Sequence, residues 1–116
     1  DFELHAGDLS IIRKRKMIEN IEVSMDFCAK IIYVKSGFVE YVTLEQLWNE
    51  RTTGLFLNSV MHLSLEQQIV CRRDLELLEL CIKDTEHRFY REMLINAMQT
   101  AILDFFDFHA RTRSEE

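Results

Sequence analysis

Apolar residues recur every three or four positions along much of the chain, which is the pattern of amphipathic helices. The first such stripe starts near Leu9, where Asp8 or Ser10 can cap a helix. Its apolar members are Ile11, Ile18, Ile21, Met25, Cys28 and Ile32. The pattern therefore predicts a long first helix that runs from Leu9 towards Gly37.

The segment around Gly37 allows two interpretations. β-branched and aromatic residues are concentrated on both sides of this glycine, at 31–35 and at 38–42. Gly37 can end the first helix in a left-handed conformation, or it can turn a small β-hairpin at 31–42. We favour the helix end, because an isolated two-stranded hairpin is only marginally stable in water.

Two capping boxes predict the starts of further helices. In each box a hydroxyl residue is followed three positions later by Gln, and the two side chains can exchange hydrogen bonds with each other's backbone amides. The boxes are Thr43–Gln46 and Ser64–Gln67. Gly54 ends the first of these helices, and we expect a further short helix at 55–63.

Neither Gly nor Pro interrupts the chain from Leu65 to Arg113. This stretch predicts one very long helix or, in so small a domain, two helices that meet near Lys83, with Asp84 or Thr85 as the second cap. Together with the earlier helices, the pattern predicts an all-α fold of four or five helices in a bundle-like arrangement. A chain of 116 residues provides one compact core, so we expect a single helical domain at 1–116.

The last helix carries more apolar surface than one core-facing stripe requires. Its main stripe consists of Phe89, Met93, Leu94, Ala97, Met98, Ala101, Phe105 and Phe108. A second line runs through Ile95, Ile102 and Phe106, so the two lines cover well over half of the helix surface. Either the helix is central in the domain, or its spare face binds a partner. We favour a partner, because large exposed apolar patches are unusual on monomers.

The sequence therefore predicts a protein-interaction domain that acts as an adaptor or regulator. The expected partner is a second copy in a homodimer, or a helix of another protein. Trp48 joins the predicted interface because Trp is a frequent binding hot spot, although a lone Trp is more often a core anchor. The predicted interface residues are Ile12, Phe27, Trp48, Ile95, Ile102 and Phe106.

The charge balance makes nucleic-acid binding the weaker alternative. The chain has 14 Lys and Arg against 20 Asp and Glu, which gives a net charge of −6 and disfavours general attraction to phosphate. One dense basic run remains, and it could contact phosphate in a nucleic-acid-associated regulator. This run consists of Arg13, Lys14, Arg15 and Lys16.

No motif in the sequence predicts catalysis, a cofactor or a metal site. Glycine-rich phosphate loops and a nucleophile elbow are absent, and the single Asp84-x-x-His87 spacing falls short of the paired motifs that hold two metals in helical bundles. Three cysteines without a C-x-x-C spacing favour free thiols and an intracellular protein, cytoplasmic or nuclear. The longest uncharged stretch, at 52–65, is too short to cross a membrane.

Overall fold

The computed structural model describes residues 4–11, 25, 28–32, 38 and 60–114. In this part of the chain there are two strands and two helices: β1 at Asp8–Ser10, β2 at Val60–His62, α1 at Leu65–Lys83 and α2 at Tyr90–Ser114. The prediction of an all-α bundle of four or five helices is wrong. The described residues contain only two helices and a two-stranded antiparallel sheet, although 63% of them are helical.

The small sheet replaces two predicted helical segments. β1 pairs with β2 so that Leu9 lies opposite Met61, and the helix expected from Leu9 does not begin there. The short helix expected at 55–63 is likewise absent at 60–62, where the chain forms β2. Strands of three residues are too short for a period-two pattern, and each lies far along the sequence from its partner. Local patterns therefore gave no sign of this pairing.

Polar contacts stabilise the end of the sheet at which β1 begins and β2 ends. The backbone amide of His5 donates to Asp8 Oδ2 at 2.8 Å, and His62 Nδ1 lies 2.9 Å from the same oxygen. Asp8 thus joins the start of β1 to the end of β2. The turn before β1 contains Gly7 with a φ of 89°, a value that L-residues with a side chain rarely adopt.

α1 begins at the predicted capping box. The amide of Gln67 donates to Ser64 Oγ at 3.2 Å, and the amide of Ser64 donates to Gln67 Oε1 at 2.9 Å. The predicted end near Lys83 is confirmed, but α2 starts at Tyr90 and not after a cap at Asp84 or Thr85. The intervening residues form a turn instead.

The core lies where both helices and the sheet meet. α1 packs along α2, and β2 packs on α2 as well. The sheet is thus a second apolar partner for α2, which explains why that helix is apolar around most of its circumference. The buried apolar residues are Met61, Leu63, Cys71, Leu78, Cys81, Ala97, Met98, Ala101, Ile102, Phe106 and Phe108.

Several predictions fall outside the described residues. Of the segment 31–42, only 31, 32 and 38 are described. Met25 lies in a turn and residues 28–32 form neither helix nor strand, so the predicted first helix does not run unbroken towards Gly37. The capping box at 43–46 and the stripe residues Ile18 and Ile21 lie outside the described residues. These remain predictions from the sequence.

Candidate functional site

Three α2 residues of the predicted interface lie in the chain's own core or beside it. Ile102 and Phe106 are 7% and 5% exposed, and Ile95 is half-buried against the same cluster. The expectation that the side chains of Ile102 and Phe106 are exposed is therefore wrong. Because α1 and β2 both pack on α2, the second apolar line of this helix is covered by the chain itself.

The other predicted site residues belong to parts of the chain that the structure does not describe. Ile12, Phe27 and Trp48 lie outside the described residues, and so does the basic run at 13–16. Their proposed roles in protein or phosphate contacts remain predictions from the sequence.

An apolar cleft lies instead at the turn between the two helices. We call it the hairpin cleft; it has a volume of about 180 Å³. Leu77 and Leu80 of α1 and Met93 of α2 supply apolar walls, and their side chains are 40%, 67% and 38% exposed. The full lining is Leu77, Leu80, Cys81, Asp84, His87, Tyr90 and Met93.

Hydrogen bonds within the turn connect residues that line the hairpin cleft. The amide of Asp84 donates to the carbonyl oxygen of Leu80 at 3.2 Å, and the amide of His87 donates to the carbonyl oxygen of Asp84 at 3.1 Å. The Tyr90 hydroxyl donates to the carbonyl oxygen of Ile82 at 3.2 Å, which ties the start of α2 to the end of α1. These bonds give the cleft a defined shape before any ligand arrives.

The size and lining of the hairpin cleft suit an apolar side chain. Small-molecule pockets usually occupy about 300–1,000 Å³, so this cleft is too small to enclose a drug-sized ligand. Its lining combines apolar side chains with Asp84 and His87, a mixture of apolar and polar residues that also occurs in protein interfaces. The arrangement therefore fits an anchor residue of a protein partner.

A second unusual feature is a pair of carboxyl groups between the helices. Asp74 of α1 is 1% exposed, and its carboxyl group lies near that of Asp104 of α2. Arg73 Nη2 lies 3.3 Å from Asp74 Oδ1 and 3.4 Å from Asp104 Oδ2. The other oxygen of Asp74, Oδ2, is buried without a hydrogen-bond partner. We call Asp74 and Asp104 the carboxyl pair.

Burial between the helices favours the uncharged forms of Asp74 and of its neighbour Cys71. The pKa of Asp74 is raised to about 7, first by burial and then by Asp104, whereas the Arg73 guanidinium lowers it. Burial also raises the pKa of the Cys71 thiol to about 11, with further contributions from both carboxyl groups. Cys71 is therefore a thiol at neutral pH, and a protonated thiol is a poor nucleophile.

The carboxyl pair does not resemble a catalytic centre. Paired carboxyl groups can serve general acid–base chemistry, but such groups must reach a substrate, and Asp74 is almost fully buried. In the described part of the chain, no group of three or more His, Cys, Asp or Glu residues is arranged to hold a metal ion. Nor does any described helix combine the length and apolar character needed to span a membrane.

The sequence contained signals for both features. Leu77 and Leu80 are apolar positions outside the buried stripe of α1, but only the turn geometry places them on a cleft. The buried residues Cys71, Asp74, Leu78 and Cys81 follow helical spacing, so Asp74 is an acid within a core stripe. A charged residue at such a position is the available signal for the carboxyl pair, and sequence reasoning missed it.

Comparisons with protein-family models, with curated proteins and with solved structures found no match to this chain. Its function is therefore inferred from the geometry of its own residues.

Proposed function

We propose that this chain is a protein-interaction domain that forms a homodimer through the hairpin cleft. The observation that carries the proposal is the exposure of Leu77 and Leu80 on a preformed apolar cleft. Burying apolar surface stabilises an interface by roughly 25 cal/mol per Å² before the costs of association. In this role the domain would act as an adaptor or regulator by joining two copies.

We favour self-association over other partners because an exposed aromatic residue adjoins the cleft. A two-fold interface requires a patch that is complementary to itself. Phe89 is 57% exposed and directly precedes α2, next to the cleft residue Tyr90. An exposed aromatic side chain next in sequence to a cleft residue would allow each copy to insert Phe89 into the cleft of the other.

The test compares two exposed leucines on the same helix. Leu80 lines the hairpin cleft, whereas Leu65 is 78% exposed at the opposite end of α1 and does not line it. We expect Leu80→Gln to weaken self-association at least tenfold and Leu65→Gln to leave it unchanged. Sedimentation velocity over a wide range of protein concentrations measures the dimerisation constant of each variant.

Two results would contradict this function. One is a wild-type chain that sediments as a monomer at every concentration, and the other is an equal effect of the two leucine substitutions. Phe89→Ala provides an independent check, since it should weaken the dimer without changing the helical circular dichroism of the monomer. Amide chemical shifts that change on dilution should map to the turn and not to the start of α1.

A further inference from the structure

The carboxyl pair lies at the contact between the helices and is independent of the hairpin cleft. Its members come from facing helices, so any change in their charge acts directly on the packing of α1 against α2. Two ionised carboxylates in contact repel each other, and burial strengthens the repulsion. A proton on one of them removes one charge and supplies a hydrogen-bond donor.

We propose that Asp74 carries a proton that it donates to Asp104 across the α1–α2 contact, and that loss of this proton to solvent as pH rises loosens the helical hairpin. The buried Oδ2 of Asp74 has no hydrogen-bond partner, and the Arg73 guanidinium contacts both carboxyl groups and so holds them near each other. Asp104 is the better acceptor because its side chain is 28% exposed and its charge remains partly solvated. The fold thus contains a pH-sensitive contact.

Neighbouring charged and titratable groups determine how strongly the carboxyl pair responds to pH. Arg73, on α1, contacts both carboxyl groups but is 64% exposed, so water screens its charge and it only partly offsets the repulsion. Cys71 is the titratable neighbour one turn earlier on α1, and its raised pKa keeps it neutral. His109 is a further buried titratable side chain of α2. Its own titration must be separated from that of Asp74.

The direction of the pH dependence follows from the folded and unfolded states. Unfolding returns the pKa of Asp74 from about 7 towards 3.8, so the folded chain binds more protons between these values. The contribution of Asp74 to stability is therefore complete at acid pH and is lost as pH rises towards neutrality. The folding equilibrium constant should fall by up to about tenfold per pH unit in this window.

Replacing Asp74 with Asn should remove this dependence, and replacing Asp104 with Asn should reduce it, because burial still raises the pKa of Asp74. Asn at position 74 mimics the protonated acid, because its Nδ2 can donate to Asp104 while its Oδ1 accepts from Arg73. Asn at position 104 can donate to the Asp74 carboxylate and so allow that group to ionise without repulsion. We therefore expect Asp74→Asn and Asp104→Asn to flatten the pH dependence and to be relatively more stable than wild type at alkaline pH.

The matched control is Asp107→Asn on the same helix. Asp107 is 51% exposed and pairs with Arg111, so its loss removes one carboxylate without touching the carboxyl pair. Urea unfolding of the full chain from about pH 5 to 8 gives each stability profile, and subtracting the profiles cancels the histidine titrations that all variants share. Wild type and Asp107→Asn should show the same slope, whereas Asp74→Asn should lose it and Asp104→Asn should show a smaller one.

A spectroscopic measurement tests the shared proton even if a variant fails to fold. Near neutral pH, the infrared spectrum of the wild-type chain should contain the carbonyl band of a protonated carboxylic acid, and ¹³C labelling of aspartate should shift this band. Absence of the band would overturn the proposal. So would an Asp104→Asn profile that keeps the wild-type slope, because burial alone would then account for the proton on Asp74.

Discussion

Gly7 and Gln68 form a contact between the start of the sheet and α1. A Cβ atom at position 7 would lie 2.5 Å from Gln68 Cδ, and the φ of 89° already disfavours a side chain there. Gln68 is held in place because its Nε2 donates to the carbonyl oxygen of Leu63 at 3.0 Å. The glycine therefore satisfies both a backbone conformation and a close approach.

Replacing this glycine tests the contact. Gly7→Ala should lower the free energy of unfolding by about 1–2 kcal/mol, because a Cβ is strained at positive φ and displaces Gln68. Urea denaturation measures the change. In the double variant Gly7→Ala with Gln68→Ala, the clash between the new Cβ and the Gln68 side chain is removed, whereas the backbone strain at position 7 remains. The combined loss should therefore be smaller than the sum of the two single losses, and strict additivity would contradict the contact.

The capping box sets the start of α1 at the scale of the element. Ser64→Ala removes the hydroxyl that accepts from the Gln67 amide and should cost about 1 kcal/mol of stability. Thermal or urea unfolding provides the measurement. Thr100→Ala is the control, since Thr100 Oγ1 donates to the carbonyl oxygen of Asn96 within α2 and caps nothing. That change should be neutral or slightly stabilising, because Ala is the better helix former.

The elements show which features local sequence can predict. The box at 64–67 and the break near Lys83 depend on neighbouring residues, and both were predicted. β1 and β2 depend on a pairing between distant segments of three residues each, and the sequence instead suggested helices there. The first position of α2 was also misplaced, because the bonds of the turn at 84–89 involve His87 in a way that no capping pattern indicates.

The candidate sites were predictable only in part. Leu77 and Leu80 were recognisable as apolar positions outside the main stripe of their helix. Whether a cleft forms around them depends on how α2 packs against α1, and this tertiary contact is not indicated by local sequence. Ile102 and Phe106 were chosen for the same reason of surplus apolar surface, yet the sheet covers their helix. Periodicity identifies an apolar face but not what covers it.

At the scale of the whole molecule, α2 is enclosed by α1 on one side and by the sheet on another. Phe106 is 5% exposed and belongs to the shared core, whereas Phe89 is 57% exposed. Phe106→Ala should therefore lower the free energy of unfolding by about 3–5 kcal/mol, while Phe89→Ala should change monomer stability far less. Chemical denaturation at low protein concentration measures both. Similar losses for the two variants would contradict this placement of the core.

The pairing of β1 with β2 has a consequence for how the chain unfolds and aggregates. These short strands are held by few hydrogen bonds, and their closure joins parts of the chain about fifty residues apart, at an entropic cost that local helices avoid. If the strands separate while the helices persist, the part of α2 that packs on β2 loses its cover and exposes apolar surface. Substitutions that weaken either strand should therefore cause aggregation before they reduce the helix content.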